Sequence, residues 1–443
     1  MPLLASGVSP PLNAHQVQIF LLQLGVLLLL ALLLGRLANR FGLPAVVGEL
    51  ATGIVLGPSV LGSVAPDLTL RLFPADREQT HLLDAASQFA VVLFVGVAGA
   101  HLDLSLIRRR RDVLVTVGLS SLLIPLALGV AAGYLVPRVL LGASADRTVF
   151  ALFLGVALSV SAIPVIAKTL SDMGLMHRNV GQLTLASAAV DDAIGWFLLS
   201  LVSTMATGSL GPAEIGTSLL SLIGFLLAAV LVVRPLARWV FTRVNARGDT
   251  QLAATAAATI VLLSAAGSHA LRLEAVFGAF VAGLVISSVV DQRLIAPLRG
   301  VTLAVLAPLF LATAGLRVDL RALADPAVLL TGVVVLLIAS VGKFAGGYLG
   351  ARLSRLTRWE GLAIGAGLNA RGAVEIVVAS VGLQLGILTT GSYTIVVLIA
   401  VATSMMAPFV LRWSAGRIEQ SAEELLRQAE TAPPVAASRQ SGG

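Results

Sequence analysis

The chain of 443 residues is 57% apolar and only 12% charged, with 43 Gly, 18 Pro and no Cys. A soluble domain carries about 25% charged residues, so half of the usual polar coat is missing and water is not this chain's main solvent. The lack of Cys excludes a disulfide scaffold, a thiolate metal site and a cysteine nucleophile, and the five His stand singly, which gives no zinc ligand set.

Windows of about 20 apolar residues, enough to cross a hydrocarbon core of about 30 Å, mark about thirteen segments. In chain order they are 17–35, 44–62, 82–100, 113–136, 148–170, 180–204, 214–236, 251–271, 275–290, 301–316, 327–351, 361–386 and 391–412. The ninth and tenth are short and interrupted by Gly or Pro, so twelve is the alternative count. The first lacks a basic leader and a small-residue cleavage site, so no cleavable signal is expected. The predicted fold class is an all-α integral membrane protein.

Short cytoplasmic loops concentrate Lys and Arg. With the N-terminus outside, nineteen basic residues fall in inside loops, among them Arg36, Arg40, the run Arg108 to Arg111, Arg178, Arg234 and Arg352. Seven fall outside, including Arg71, Arg272, Arg317 and Arg321. This asymmetry predicts N-outside, C-inside and an odd number of spans in a bacterial inner membrane. The net charge of +7 is then a topology signal and not a nucleic-acid footprint. From about 414 to 443 the sequence reads as a short cytoplasmic tail, with a charged helical pattern over Glu419 to Glu430 and then a Pro, Ala and Ser-rich end that cannot bury a core. No soluble nucleotide-binding module is expected there.

Ionisable groups at bilayer depth are costly and point to function. Here they are Glu49, Asp191, Asp192, Lys343, Arg371 and Glu375. Asp191 and Asp192 stand mid-span in segment 6; neighbours on a helix point about 100° apart, so they serve different partners. Lys343, one of only two Lys, lies mid-span in segment 11 and is the expected partner of one of them. Beside it Gly342, Gly346 and Gly350 repeat every four residues, a ridge that permits close helix approach. Two acids with a titratable base favour a proton-coupled site over a static ion pair. Arg371 and Glu375, four apart, read as a structural pair on one helix face. Glu49 is open between helix packing and a site role. Asp84 is interfacial, and neither His177 nor His269 is assigned a pH-sensing role.

Segment 5 carries Ser159-Val160-Ser161-Ala162-Ile163-Pro164, and segment 12 carries Gly365-Ala366-Gly367-Leu368-Asn369-Ala370-Arg371-Gly372. Both interrupt a membrane helix and free backbone carbonyls. Equivalent breaks in two halves predict inverted repeats, segments 1–6 and 8–13 with 7 as linker, and a site at the midplane.

The strings Val47-Gly48-Glu49-Leu50, Gly53 to Pro58, Ser159 to Ala167, Val190-Asp191-Asp192 with Gly195-Trp196, Phe277 to Leu284, Pro308-Leu309-Phe310, Gly342-Lys343 and Gly367 to Glu375 together resemble the monovalent cation:proton antiporters of the second branch (CPA2). They run in that family's order. Gly342-Lys343 and Asn369-Ala370-Arg371-Gly372 look most like the plant and bacterial cation/H+ exchangers. Asp191 departs from that subgroup, which often has Asn there, and His101 stands where many relatives carry Glu.

The resemblance implies an antiporter fold of 13 spans, usually a homodimer, with two crossed broken helices. A scaffold (about 17–100 and 251–316) would hold a mobile core (about 113–204 and 327–412), joined by a linker span (about 214–236). It makes Asp192 the ion-binding carboxylate, Asp191 the second acid and Lys343 the partner that holds Asp191 ionised until a cation enters. Ser159 and Ser161 are candidate extra ligands; Glu49, Asn369, Arg371 and Glu375 are supporting polar groups. Exchange would follow from exclusivity, because Asp192 holds either H+ or one Na+ or K+, and no cofactor is expected. The alternatives are proton-coupled transport of an organic or anionic substrate on the same fold, and a channel, which Lys343 would obstruct. An intramembrane aspartyl protease needs acids on separate spans at a Gly-x-Gly-Asp turn, which the sequence lacks.

Overall fold

A computed structural model describes residues 13–74, 76–100, 111–143, 145–207, 212–271, 273, 275–291, 293–422 and 424–425. The stretch from His101 through Arg110, Arg272 and the tail beyond Leu425 therefore lie outside the described residues. The described residues form helices, and the one β-bridge among them joins Leu141 to Leu388.

In chain order the helices are α1 (Ala14–Arg40), α2 (Ala45–Leu56), α3 (Leu61–Val64), α4 (Pro66–Leu72), α5 (Arg77–Ala100), α6 (Arg111–Leu135), α7 (Arg147–Ser159), α8 (Ile163–Asp172), α9 (Asn179–Thr207), α10 (Pro212–Ala228) and α11 (Arg234–Arg247). They continue as α12 (Thr250–Ala270), α13 (Ala275–Ser287), α14 (Ala296–Val301), α15 (Ala307–Gly315), α16 (Pro326–Leu353), α17 (Arg358–Leu368), α18 (Ala373–Gln384) and α19 (Thr390–Ala415). Many starts carry a sequence signature. Asn13 with Gln16, Thr357 with Glu360 and Thr389 with Ser392 form capping boxes. Asp146, Asp249 and Asp325 accept the first free amides of α7, α12 and α16.

Among the described residues, ten helices are long and apolar enough to cross a membrane. Three of the expected spans are not single long helices. Segment 5 is α7 and α8 separated at Val160, Ser161 and Ala162; segment 12 is α17 and α18 separated at Asn369 to Gly372; segment 9 is the 13-residue α13. Segment 2 spans Ala45–Val64 as expected but is interrupted at Gly57-Pro58, between α2 and α3. Leu22, Leu29, Leu33, Leu231 and Val232 face outward from α1 and the α10–α11 segment, the arrangement of a lipid-facing surface.

Two sets of helices pack mainly on themselves. α1, α2, α5, α12, α13 and α15 form one, and α6 to α9 with α16 to α19 form the other. The contacts need glycine: a Cβ on Gly53 of α2 would lie 2.0 Å from the Ala312 carbonyl oxygen of α15. In the second set the ridge expected on α16 meets α6. A Cβ on Gly346 would lie 2.6 Å from the Ser120 carbonyl oxygen, and one on Gly350 would lie 2.7 Å from Val117 Cα. This close approach brings the long Lys343 side chain to the inner face of α6. The second break also meets the first turn of α8, just past the first, since a Cβ on Gly372 would sit 2.7 Å from Val165 Cγ2.

Candidate functional site

Asp191 and Asp192 project from the middle of α9 and are 0% and 2% exposed. Their environments differ. Asp191 is saturated: Lys343 Nζ donates to its Oδ2 at 2.7 Å, Ser161 Oγ donates to the same oxygen at 3.0 Å, and Ser121 Oγ lies 2.9 Å from both carboxylate oxygens. Asp192 has the backbone amide of Ser161 beside it, yet its Oδ1 is buried without a hydrogen-bond partner. Buried polar atoms are rarely left so.

Lys343 is completely buried and fully engaged. Besides Asp191, it donates to the carbonyl oxygens of Ser121, at 3.2 Å, and Ser159. Ser159 is the last residue of α7, where helix carbonyls are unpaired and the helix dipole is negative, so a cation is stabilised there. The break in segment 5 thus supplies one of the lysine's three acceptors.

Across the site, Arg371 Nη1 pairs with Glu375 Oε1 at 3.2 Å and its Nη2 donates to the Ala339 carbonyl oxygen at 2.8 Å. Both are buried. The expected pair therefore forms, with one correction: Arg371 is not on a helix face. It lies in the break, and Glu375 stands in the first turn of α18, where an acid complements the dipole. Ser404 of α19 holds the break by donating to the Arg371 carbonyl oxygen. Asn369 ends α17, and its Oδ1 is buried and unpartnered, as is Glu375 Oε2.

The remaining expected residues lie elsewhere or are turned away. The Ser159 hydroxyl donates to the Val156 carbonyl oxygen of its own helix at 2.9 Å, and Ser161 serves Asp191, so neither hydroxyl is directed at Asp192. Glu49 is half-buried in the α1–α2 contact, where a Cβ on Gly35 would lie 3.5 Å from its Cγ. Sequence reasoning missed Ser121. Its signal is the pair Ser120-Ser121, two hydroxyls in the middle of an apolar span.

Three buried carboxylates, Asp191, Asp192 and Glu375, share the region with two buried cations, Lys343 and Arg371. With all of them ionised one negative charge is left over, which one monovalent cation or one proton neutralises. A cavity of about 350 Å³ lies between the two helix sets, lined by Gln88 of α5, Thr313 of α15, Arg317, and Val377, Ser380 and Gln384 of α18. Arg317 is paired with Asp84 at 2.6 Å. The cavity follows α18 from its far end toward the break.

Buried charges gathered where two broken helices meet, inside a bundle of apolar helices, define a secondary-transporter architecture. The chain belongs to the sodium/hydrogen exchanger family: residues 26–415 match the family described as "Sodium/hydrogen exchanger, transmembrane". It is 30% identical over 398 residues to Cation/H(+) antiporter 15 of Arabidopsis thaliana, covering 88% of this chain and 48% of that protein. It is 28% identical over 407 residues to the Na(+)/H(+) antiporter NhaS4 of Synechocystis, covering 90% and 98% respectively. The fold is similar to that of the sodium proton antiporter MjNhaP1 from Methanocaldococcus jannaschii, with a TM-score of 0.64 at 16% identity over 93% of this chain and 99% of that one. The chain spans about half the length of the plant relatives it matches. It is a multi-pass membrane protein of the monovalent cation:proton antiporter family, and these relatives are named as antiporters, not enzymes.

Proposed function

We propose that the protein exchanges Na+ or K+ for protons by competition at the Asp192 carboxylate. The observation that carries this reading is the contrast between the neighbours: Asp191 is neutralised by Lys343 and two hydroxyls, whereas Asp192 keeps a buried oxygen without a partner. A carboxylate out of water needs a positive partner, and a proton and an alkali ion cannot both occupy one oxygen. Asn369 and Glu375 offer further oxygen ligands of the hard type that alkali cations take. Lys343 keeps Asp191 ionised, so the surplus negative charge stays with Asp192.

Alternating access comes from the α6–α9 and α16–α19 core moving against the α1–α5 and α12–α15 scaffold, with α10–α11 as linker, in a homodimer of 13-span subunits. The positive-inside distribution orients it with the N-terminus outside and the C-terminus in the cytoplasm. The cavity beside Arg317 is then the outer approach to the site.

The test is cation-driven proton movement, read by a pH dye in sealed vesicles that receive Na+, K+ or Li+ pulses. The wild type exchanges at least one of these ions for protons, and Asp192→Asn abolishes the signal. Near-normal exchange by Asp192→Asn would sink the assignment. A wild type whose pH gradient ignores all three ions would favour an organic or anionic substrate on the same fold.

A further inference from the structure

A second cluster lies far along the chain from the acids, at the Arg-rich ends of α17 and α19. Trp359 and Trp413 meet edge to face, with ring centroids 5.2 Å apart and planes at 77°. The Arg417 guanidinium stacks on both, 4.2 Å from the Trp413 ring and 4.6 Å from the Trp359 ring, and Arg358 lies 5.1 Å from Trp359. Such stacking holds a guanidinium in one orientation while leaving its N–H edges free. Among the described residues neither the Arg358 nor the Arg417 guanidinium has a carboxylate partner or a hydrogen-bond acceptor. Two acids stand two residues from these arginines: Glu360 is committed to the capping box, accepting from the Thr357 amide and hydroxyl at 2.8 Å each, and among the described residues the Glu419 carboxylate forms no ion pair with either arginine.

The surface below the cluster is apolar. Met406, Phe409 and Trp413 are 47%, 63% and 53% exposed and recur at the three- and four-residue spacing of one helix face. At about 1.5 Å per residue they form a stripe about 10 Å deep that ends, one turn further on, at Arg417. A greasy track topped by aromatic rings and two unpaired cations matches one ligand in length and charge.

We propose that this face binds a single anionic phospholipid, with its phosphate in the fork of Arg358 and Arg417 and an acyl chain along Met406 and Phe409. Two guanidinium groups that no described carboxylate contacts favour a headgroup whose phosphate charge is uncompensated over one that carries its own ammonium. The site stands on the ends of two core helices. It depends on the chain spanning a membrane and not on the exchange reading, so its failure leaves that reading untouched.

The experiment is native mass spectrometry of the full chain in detergent, titrated separately with dioleoyl-phosphatidylglycerol and dioleoyl-phosphatidylcholine. The wild type retains one phosphatidylglycerol at least about tenfold more tightly than phosphatidylcholine, and millimolar inorganic phosphate does not displace it. R358Q/R417Q erases that preference, and R358K/R417K, which keeps the charge without the fork, retains part of it and serves if the neutral variant fails to fold. Equal retention of the two lipids by the wild type, or an undiminished preference in both variants, overturns the proposal. Displacement by inorganic phosphate would make it a free-phosphate site, and a shift of the variant from dimer to monomer with unchanged lipid binding would make it a subunit interface; either result also overturns it.

Discussion

Lys343 Nζ lies 2.7 Å from Asp191 Oδ2, and the adjacent Asp192 keeps an oxygen with no hydrogen-bond partner among the described residues. One lysine thus separates two chemically identical neighbours into a neutralised acid and a waiting one. The separation depends on helix geometry, because the step of about 100° between consecutive residues gives Lys343 and Ser121 to Asp191, while Asp192 shares only Ser161 with it.

Removing one side of the buried pair leaves an uncompensated charge, which costs about 3–5 kcal/mol. Asp191→Asn and Lys343→Met are each expected to lower thermal stability in detergent by that order. The double variant should recover most of the loss, because both charges leave together. The check is a thermal-melting double-mutant cycle; additive losses would show that the two side chains do not act as a pair.

Ser121 touches both oxygens of Asp191, and its carbonyl accepts from Lys343. Ser121→Ala should cost about 1–3 kcal/mol of stability and slow exchange without abolishing it, because Lys343 and Ser161 remain. Vesicle rates with parallel melting curves check this. An unchanged rate and melting temperature would remove Ser121 from the site.

The glycine ridge of α16 permits the approach that delivers Lys343. Gly346→Val should displace α16 from α6, since even its Cβ would lie 2.6 Å from the Ser120 carbonyl oxygen and 2.9 Å from Ser121 Cα. The expected result is a loss of the folded, monodisperse peak in size-exclusion chromatography, at a cost of about 1–3 kcal/mol or more. Gly300→Ala is the control, because nothing lies within 4 Å of its added carbon.

Glu424 caps the start of α9, accepting from the Asn179 amide at 2.5 Å and facing Arg178 at 3.4 Å. Burial pushes its carboxyl up, but the Asn179 and Ser421 amides and Arg178 outweigh this and hold it below the usual glutamate range. A carboxyl lowered on folding contributes stability that is complete above its unfolded value of about 4.3 and is lost as pH falls through the lower folded value. Hydrogen exchange at Asn179 to Gln182 should therefore speed up below that pH in the wild type, and at neutral pH in Glu424→Ala. Equal protection in the two proteins at neutral pH would show that the contact does not hold.

Much of this was legible in the sequence for one physical reason: a charge or a helix break is conspicuous against hydrocarbon. Asp191, Asp192, Lys343 and the interruptions at Ser159–Pro164 and Asn369–Gly372 stand out because each is costly in an apolar span. What stayed hidden depends on how helices cross. Which hydroxyl reaches Asp191 is decided by the α6–α9 contact, so Ser121 is not legible from the sequence. Ser159 was expected to offer its hydroxyl, but it still belongs to α7, and its side chain turns back on the helix while its carbonyl does the binding. Arg371 and Glu375 were given their spacing correctly, but the helix starts between them.

The most direct test of competition at Asp192 is proton release from the purified protein in weakly buffered detergent when Na+ or K+ is added near neutral pH. A saturable release is expected from the wild type, one that disappears in Asp192→Asn and persists in Ser121→Ala. Cation binding without proton release, or equal release from Asp192→Asn, would contradict it.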